Sequence, residues 1–218
     1  MVVPMAGSIG RRDVAILGVV LAGGWLTGRA LRRTAPIGRD VRASGMVASI
    51  LSEGAPASGP ANASLRMAVF SDYRCAACRR AYPALAEAVR ADGDVRVLHK
   101  DWPIFGPPSE RAAQVAIASA WQGIHAPVHA RLMTDARTID DAMLADVVTG
   151  AGGDWARLTA DLAAREAEVA ARLRANAAEA RAIGLPGTPG YLAGPLLVLG
   201  AIDAGDVARL FARARALR

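Results

Sequence analysis

The chain has 218 residues, with 26 basic and 20 acidic side chains, three histidines and two cysteines. Two cysteines exclude a four-cysteine zinc centre and a disulfide-dense scaffold, and the length gives room for one substantial hydrophobic core. Aromatic residues make up 5% of the sequence, so that core is assembled from Ala, Leu, Val and Ile. The positive charge is unevenly placed: residues 1–60 carry seven arginines against three acids, and residues 61–218 carry nineteen basic against seventeen acidic side chains. An arginine excess beside an apolar segment suits a membrane surface, and no nucleic-acid recognition motif accompanies it.

The apolar segment is Val14–Leu31, uncharged until Arg29 and flanked by Arg11-Arg12 and Arg32-Arg33. As a helix its fifteen uncharged residues cover roughly 22 Å, less than the ~30 Å of a hydrocarbon core. Snorkelling arginines and an interfacial Trp25 extend that reach. Residues 1–31 thus read as an N-terminal membrane anchor, with a cleaved secretory signal or an interfacial helix as alternatives. Two arginines precede the uncharged run and five follow it up to residue 60, so the positive-inside rule favours a cytoplasmic domain, against the placement reached below.

Residues 32–61 read as a flexible tether, rich in Ala, Gly, Ser and Pro around Gly54–Pro60, with a short helix at Met46–Leu51. Leu65–Ser71 has the apolar run of a strand. Cys75-Ala-Ala-Cys78 follows and opens a helix that places Cys78, Tyr82, Leu85 and Val89 on one face, with a kink expected at Pro83. Asp92-Gly93-Asp94 turns the chain into a second strand at Val95–Leu98. Residues 109–183 are helical in pieces, broken at Gly123, Pro127, Arg137-Thr138 and Gly150–Gly153. Gly187-Thr-Pro-Gly190 precedes a hairpin of Tyr191-Leu192 and Leu196–Leu199, and Asp203 caps a last helix. No internal repeat is present.

The chemistry centres on Cys75 and Cys78. A C-x-x-C between a strand and a helix is the arrangement of a thioredoxin-type redox site. Residues three apart at a helix start approach closely enough for a disulfide. The first sulfur then faces solvent at the positive helix end, where unpaired N–H groups favour its thiolate, and the second lies one turn inside. Half a metal site and an inert structural pair are the competing readings. No second Cys pair is present, and Pro127 between His125 and His129 disturbs the helix a histidine site would need. His99 reads as a surface or packing residue, and no metal is expected. Thr188-Pro189 is the second element: in such a site a strand-leading cis-proline lies opposite the C-x-x-C, the alternative being an ordinary trans turn.

Three ordered motifs carry a resemblance: Phe70-Ser-Asp-Tyr-Arg-Cys-Ala-Ala-Cys-Arg-Arg-Ala-Tyr-Pro83, Lys100-Asp-Trp-Pro-Ile-Phe-Gly-Pro-Pro-Ser-Glu-Arg-Ala-Ala113, and Gly187-Thr-Pro-Gly-Tyr191. The chain resembles the DsbA-like thiol–disulfide oxidoreductases, with closest similarity to the group that includes the suppressor-of-copper-sensitivity proteins. The resemblance implies an α/β thioredoxin fold over residues 62–218, with a helical domain inserted at about 107–183. It also implies an extracytoplasmic, periplasmic location, where disulfides persist.

By resemblance, Cys75 is the nucleophile, Cys78 the resolving thiol, Pro189 the cis-proline, and Thr188 a backbone partner for a bound peptide. The implied substrates are cysteine-containing exported proteins, and the disulfide itself replaces any cofactor. A membrane redox partner is implied too, either a quinone-linked oxidase or a thiol-reducing transporter. An isomerase or reductase of the same fold and a non-catalytic copper(I)-binding thiol protein are the alternatives.

Two departures stand out. The dipeptide between the cysteines is Ala76-Ala77, where relatives often carry a thiolate-stabilising His, which implies a less oxidising disulfide; Arg74, Arg79 and Arg80 supply compensating positive charge. A buried Glu that relatives often place six residues before the first cysteine is Val69 here. Asp72 is the candidate substitute in proton transfer.

Overall fold

The computed structural model describes residues 10–52 and 54–217, and the chain forms two units that divide after Pro36. Among the described residues the first unit holds one helix, α1 (Arg11–Thr34). Val14, Ile16, Leu17, Val19, Val20, Leu21 and Trp25 are exposed and point all round it rather than along one stripe. Among the described residues no helix is long and apolar enough to cross a membrane. A membrane-spanning anchor over residues 14–31 is therefore not supported. The physical reason is length: the uncharged run ends at Gly28, after a rise of roughly 22 Å.

The second unit is a six-stranded mixed sheet with helices around it. In chain order its elements are β1 (Arg39–Asp40), α2 (Val47–Ile50), β2 (Ala57–Ser58), β3 (Leu65–Ser71), α3 (Ala76–Asp92) and β4 (Val95–Asp101). Five helices follow: α4 (Pro107–Ser119), α5 (His125–Thr134), α6 (Asp141–Gly150), α7 (Trp155–Ala164) and α8 (Glu166–Ala182). The chain closes with β5 (Gly190–Ala193), β6 (Leu196–Leu199) and α9 (Ala204–Ala216). The strand order is β1-β6-β5-β3-β4-β2, with β3 and β4 parallel and every other neighbour antiparallel.

β3 is central and buried on both faces, which is why Leu65–Ser71 reads as a nearly unbroken apolar run. On one face Leu65, Met67 and Val69 join Val95, Val97 and Tyr191 against Leu85 and Ala88 of α3 and Val207, Leu210 and Phe211 of α9. On the other, Ala68, Phe70, Leu98 and Leu192 meet Ile50 of α2 and Ala180 of α8. A third cluster fills the helical block between β4 and β5, with Val115, Val128, Leu132, Leu144 and Leu158 at its centre, and it extends to Tyr73, Cys75 and Cys78. The two cysteines thus sit where the helical block meets the sheet. Asp140, Asp154 and Asp203 cap α6, α7 and α9 by accepting the amides of Met143, Arg157 and Asp206.

Two segments differ from expectation. The stretch read as a tether, residues 32–61, supplies both edge strands: β1 pairs with β6 and β2 with β4, and Val41 and Ile50 are buried. Gly59 holds this stretch against the sheet at φ +85°, where a Cβ would come within 2.2 Å of the Val95 carbonyl oxygen. The second strand runs three residues beyond Leu98, to Asp101. Parallel pairing with β3 as far as Ser71 carries His99, Lys100 and Asp101 into the interior, where Lys100 Nζ pairs with Glu179 at 2.8 Å.

Candidate active site

β3 ends at Ser71, and a single turn, closed by the Cys75 amide donating to the Asp72 carbonyl at 3.1 Å, delivers Cys75 to the N-cap of α3. Cys75 takes an extended backbone (φ −68°, ψ 110°), and its Sγ accepts the Cys78 amide at 3.3 Å. Charge developing on that sulfur lies at the positive end of a seventeen-residue helix. Both cysteines are free thiols. Cys75 is 4% exposed and Cys78 3%, so the first sulfur is far more covered than its position at a helix start suggests.

The cover comes from the segment before β5. Thr188-Pro189 is a cis peptide, and the Cys75 thiol donates to the Thr188 carbonyl at 3.4 Å. The dithiol and the Thr-Pro pair, 113 residues apart in sequence, are therefore in direct contact. Ile104 and Phe105, both exposed, lie on the loop after β4, and Ile104 is near Gly187.

Asp72 has a different place from the one its sequence position suggested. It is 1% exposed, and its carboxylate accepts four donors. Oδ1 takes the Arg74 amide at 2.7 Å and Ser109 Oγ at 2.6 Å; Oδ2 takes the amides of Ile104 at 2.7 Å and Phe105 at 3.2 Å. A carboxylate with that many donors is a structural clamp between the C-x-x-C turn, the loop after β4 and α4. The arginines expected to act on the thiols are likewise engaged elsewhere. Arg74 donates to the Phe105 carbonyl at 2.6 Å, and Arg79 donates to the Asp135 carbonyl. Arg80 is exposed.

The chain's three histidines gather in one cluster, two of them, His99 and His129, lining the same cavity as Cys78, which sequence reading did not anticipate. α5 begins at His125, so Pro127 falls in its first turn, where a missing N–H costs nothing. His125 and His129 consequently share a face, with ring centroids 5.7 Å apart, and both meet His99 of β4, at 4.8 and 4.3 Å. All three rings are buried. His129 Nδ1 bonds the Tyr73 hydroxyl at 2.9 Å, and His99 Nε2 bonds Ser58 Oγ at 3.0 Å. The signal in the sequence was the i, i+4 pair itself, readable once the helix start is placed at His125. Among the described residues no group of three or more His, Cys, Asp or Glu side chains is arranged to hold a metal ion.

Burial sets the electrostatics. It pushes the Cys78 thiol up to about 12. It pulls His125 down to about 4, and burial together with the neighbouring His125 pulls His129 down to about 3; His99 lies well below its ordinary value for the same reasons. Asp101, fully buried and near the Asp72 charge, is raised to about 7. The resolving-thiol position is thus a proton-holding one, and it shares a cavity lining with the neutral imidazoles of His99 and His129.

A family model, the DSBA-like thioredoxin domain, matches residues 66–212. Among solved structures, a thioredoxin-like oxidoreductase from Silicibacter pomeroyi DSS-3 is 30% identical, with a TM-score of 0.73 over 78% of this chain and 97% of that one. The catalytic domain of Proteus mirabilis ScsC is 26% identical, with a TM-score of 0.70 over 82% of this chain and 99% of that one. The thiol-disulfide exchange protein alpha-DsbA2 from Wolbachia pipientis, 23% identical with a TM-score of 0.74, covers 80% of this chain and 93% of its own, and shares the fold. No curated protein sequence matches the chain. A dithiol at a strand–helix junction, facing a cis-proline beyond a helical insertion, agrees with these matches, and the chain belongs to the DsbA-like family of thioredoxin-fold thiol–disulfide oxidoreductases.

Proposed function

We propose that the protein exchanges disulfides with cysteine-containing exported proteins through Cys75 and Cys78, outside the cytoplasm. The observation that carries this reading is the contact of Cys75 Sγ with the Thr188 carbonyl at 3.4 Å, at the N-terminus of α3. A thiol in that position is set beside a backbone acceptor and at a helix end that stabilises negative sulfur.

In the reducing direction, the Cys75 thiolate attacks a substrate disulfide. A Cys75–substrate S–S bond forms, and one substrate sulfur leaves as thiolate and takes up a proton. Cys78 then loses its proton and attacks Cys75 Sγ, forming the Cys75–Cys78 disulfide and releasing the second substrate sulfur as a thiol. The oxidising direction is the reverse. Thr188 and Pro189 border the groove in which the substrate segment lies, and Ile104 and Phe105 offer it an apolar rim. Disulfide chemistry of this kind persists in oxidising compartments, which supports the extracytoplasmic placement. A membrane redox partner, quinone-linked or thiol-reducing, resets the pair and so fixes the net direction.

The test uses two variants in the full chain. Cys75→Ser abolishes dithiol-dependent insulin reduction, whereas Cys78→Ser accumulates mixed disulfides at Cys75 whose trapped partners identify the substrates. Full activity in Cys75→Ser would overturn the reading.

A further inference from the structure

In the mechanism above, Cys78 must give up a proton before it can attack, yet it is 3% exposed and its thiol lies at about 12. Asp72, with every lone pair engaged by the clamp, is not the acceptor. A cavity of about 270 Å³ lies behind the dithiol. Its wall includes Cys78, His99 and His129 at depth, and Ser58 and the exposed Arg90 nearer the surface. The cavity approaches the resolving thiol from the side of β2 and α3, and its volume is ample for a bridging water.

Resting on the dithiol reading, we propose that His99 relays the Cys78 proton to solvent through Ser58 when Cys78 resolves a mixed disulfide. His99 Nε2 is bonded to Ser58 Oγ at 3.0 Å, and its buried Nδ1 has no hydrogen-bond partner. A ring whose Nε2–H donates to Ser58 carries a lone pair on Nδ1, so it takes a proton on one nitrogen as it gives one up from the other. The Cys78 proton passes through a bridging water to Nδ1, the Nε2 proton passes to Ser58 Oγ, and the hydroxyl proton passes to solvent. The Cys78 thiolate then bonds to Cys75 Sγ as the Cys75–substrate S–S bond breaks, and the departing substrate thiolate takes a proton from solvent. Cys78 is oxidised and the substrate sulfur reduced.

Titratable groups face His99 from each element packed against it. His125 and His129 of α5 pack against it, and burial holds both in the neutral form. Tyr82 of α3 meets His129 edge-on, and Tyr73 bonds its Nδ1. From the sheet come Tyr191 of β5, which borders the cavity, and Asp101, two residues further along β4, whose buried carboxyl is raised to about 7. Among the described residues the exposed Arg90 is the cavity wall's one cationic side chain.

Ellman's reagent in excess over the reduced full chain reads the two steps separately. The first thionitrobenzoate released reports attack by Cys75, and the second reports Cys78 resolving the mixed disulfide. In His99→Gln the second release slows at least about tenfold at neutral pH, and its rate climbs with pH as hydroxide takes over the proton. His125→Asn, altering a ring that packs in the cluster but is not part of the cavity wall, leaves the second release at the wild-type rate. Equal second-release rates and pH profiles in wild type and His99→Gln would overturn the relay, as would equal slowing by His125→Asn. If His99→Gln does not fold, Ser58→Ala on the edge strand must slow the second release, and an unchanged rate there overturns the route. Failure of the wild type to give a second release at all overturns instead the dithiol reading.

Discussion

The Asp72 carboxylate accepts the Ile104 amide at 2.7 Å, tying the turn that presents Cys75 to the loop after β4. The adjacent Phe105 amide reaches the same oxygen, and Ser109 Oγ reaches the other. The residue that sequence position alone offered as a proton carrier is a clamp, holding the two sides of the site in one geometry.

Asp72→Asn therefore turns an acceptor into a donor facing backbone amides that have lost their partner. We expect a loss of about 1–3 kcal/mol in folding stability, the cost of buried groups left unpaired. Urea denaturation of the reduced protein measures it; unchanged stability would show the clamp to be dispensable.

The buried histidines make stability fall in acid. His125 titrates near 6.5 when unfolded and at about 4 when folded, and His129 at about 3, so the unfolded chain binds more protons between those values. The histidines' contribution to stability is full above about 6.5 and is lost as pH falls towards about 4 and then about 3. Denaturation midpoints across that range should decline, and His125→Leu should decline less steeply than wild type. Parallel profiles would place the acid sensitivity elsewhere.

Asp101 acts in the opposite sense. Its carboxyl is raised from 3.8 to about 7, so the folded state holds the proton in that window and stability falls as pH rises through it. Asp101→Asn removes the ionisable group at the same shape, so its stability relative to wild type should grow from pH 3.8 to about 7 and then level off. A pH-independent difference between the two proteins would show that Asp101 ionises freely.

Lys100 and Glu179 form an ion pair at 2.8 Å, with side chains 5% and 16% exposed. Removing one member leaves the other buried without its counter-charge. Lys100→Met should cost about 3 kcal/mol, and adding Glu179→Leu should recover much of that. Additive losses in the double variant would mean the two side chains act independently.

Neighbouring residues along the chain set the local chemistry. The strand at Leu65–Ser71, the C-x-x-C that follows it and the helix it opens depend on residues within a few positions of one another, where periodicity, capping and spacing act. The order of strand, helix, strand, helical block and hairpin was legible for the same reason, and the motifs at Cys75 and Pro189 were enough to suggest the family. Two-residue strands such as Arg39–Asp40 and Ala57–Ser58 carry no period to read; only the free edges of β6 and β4 make them strands. Tertiary packing likewise decided what surrounds the dithiol. His99 comes from a strand and His125 and His129 from a helix beyond it, so their meeting depends on how the helical block folds onto the sheet. The same holds for Asp72, whose partners Ile104 and Ser109 lie more than thirty residues away. Burial, which shifts the protonation of Cys78, Asp101 and all three imidazoles, is a property of that packing and is absent from any local stretch of the chain.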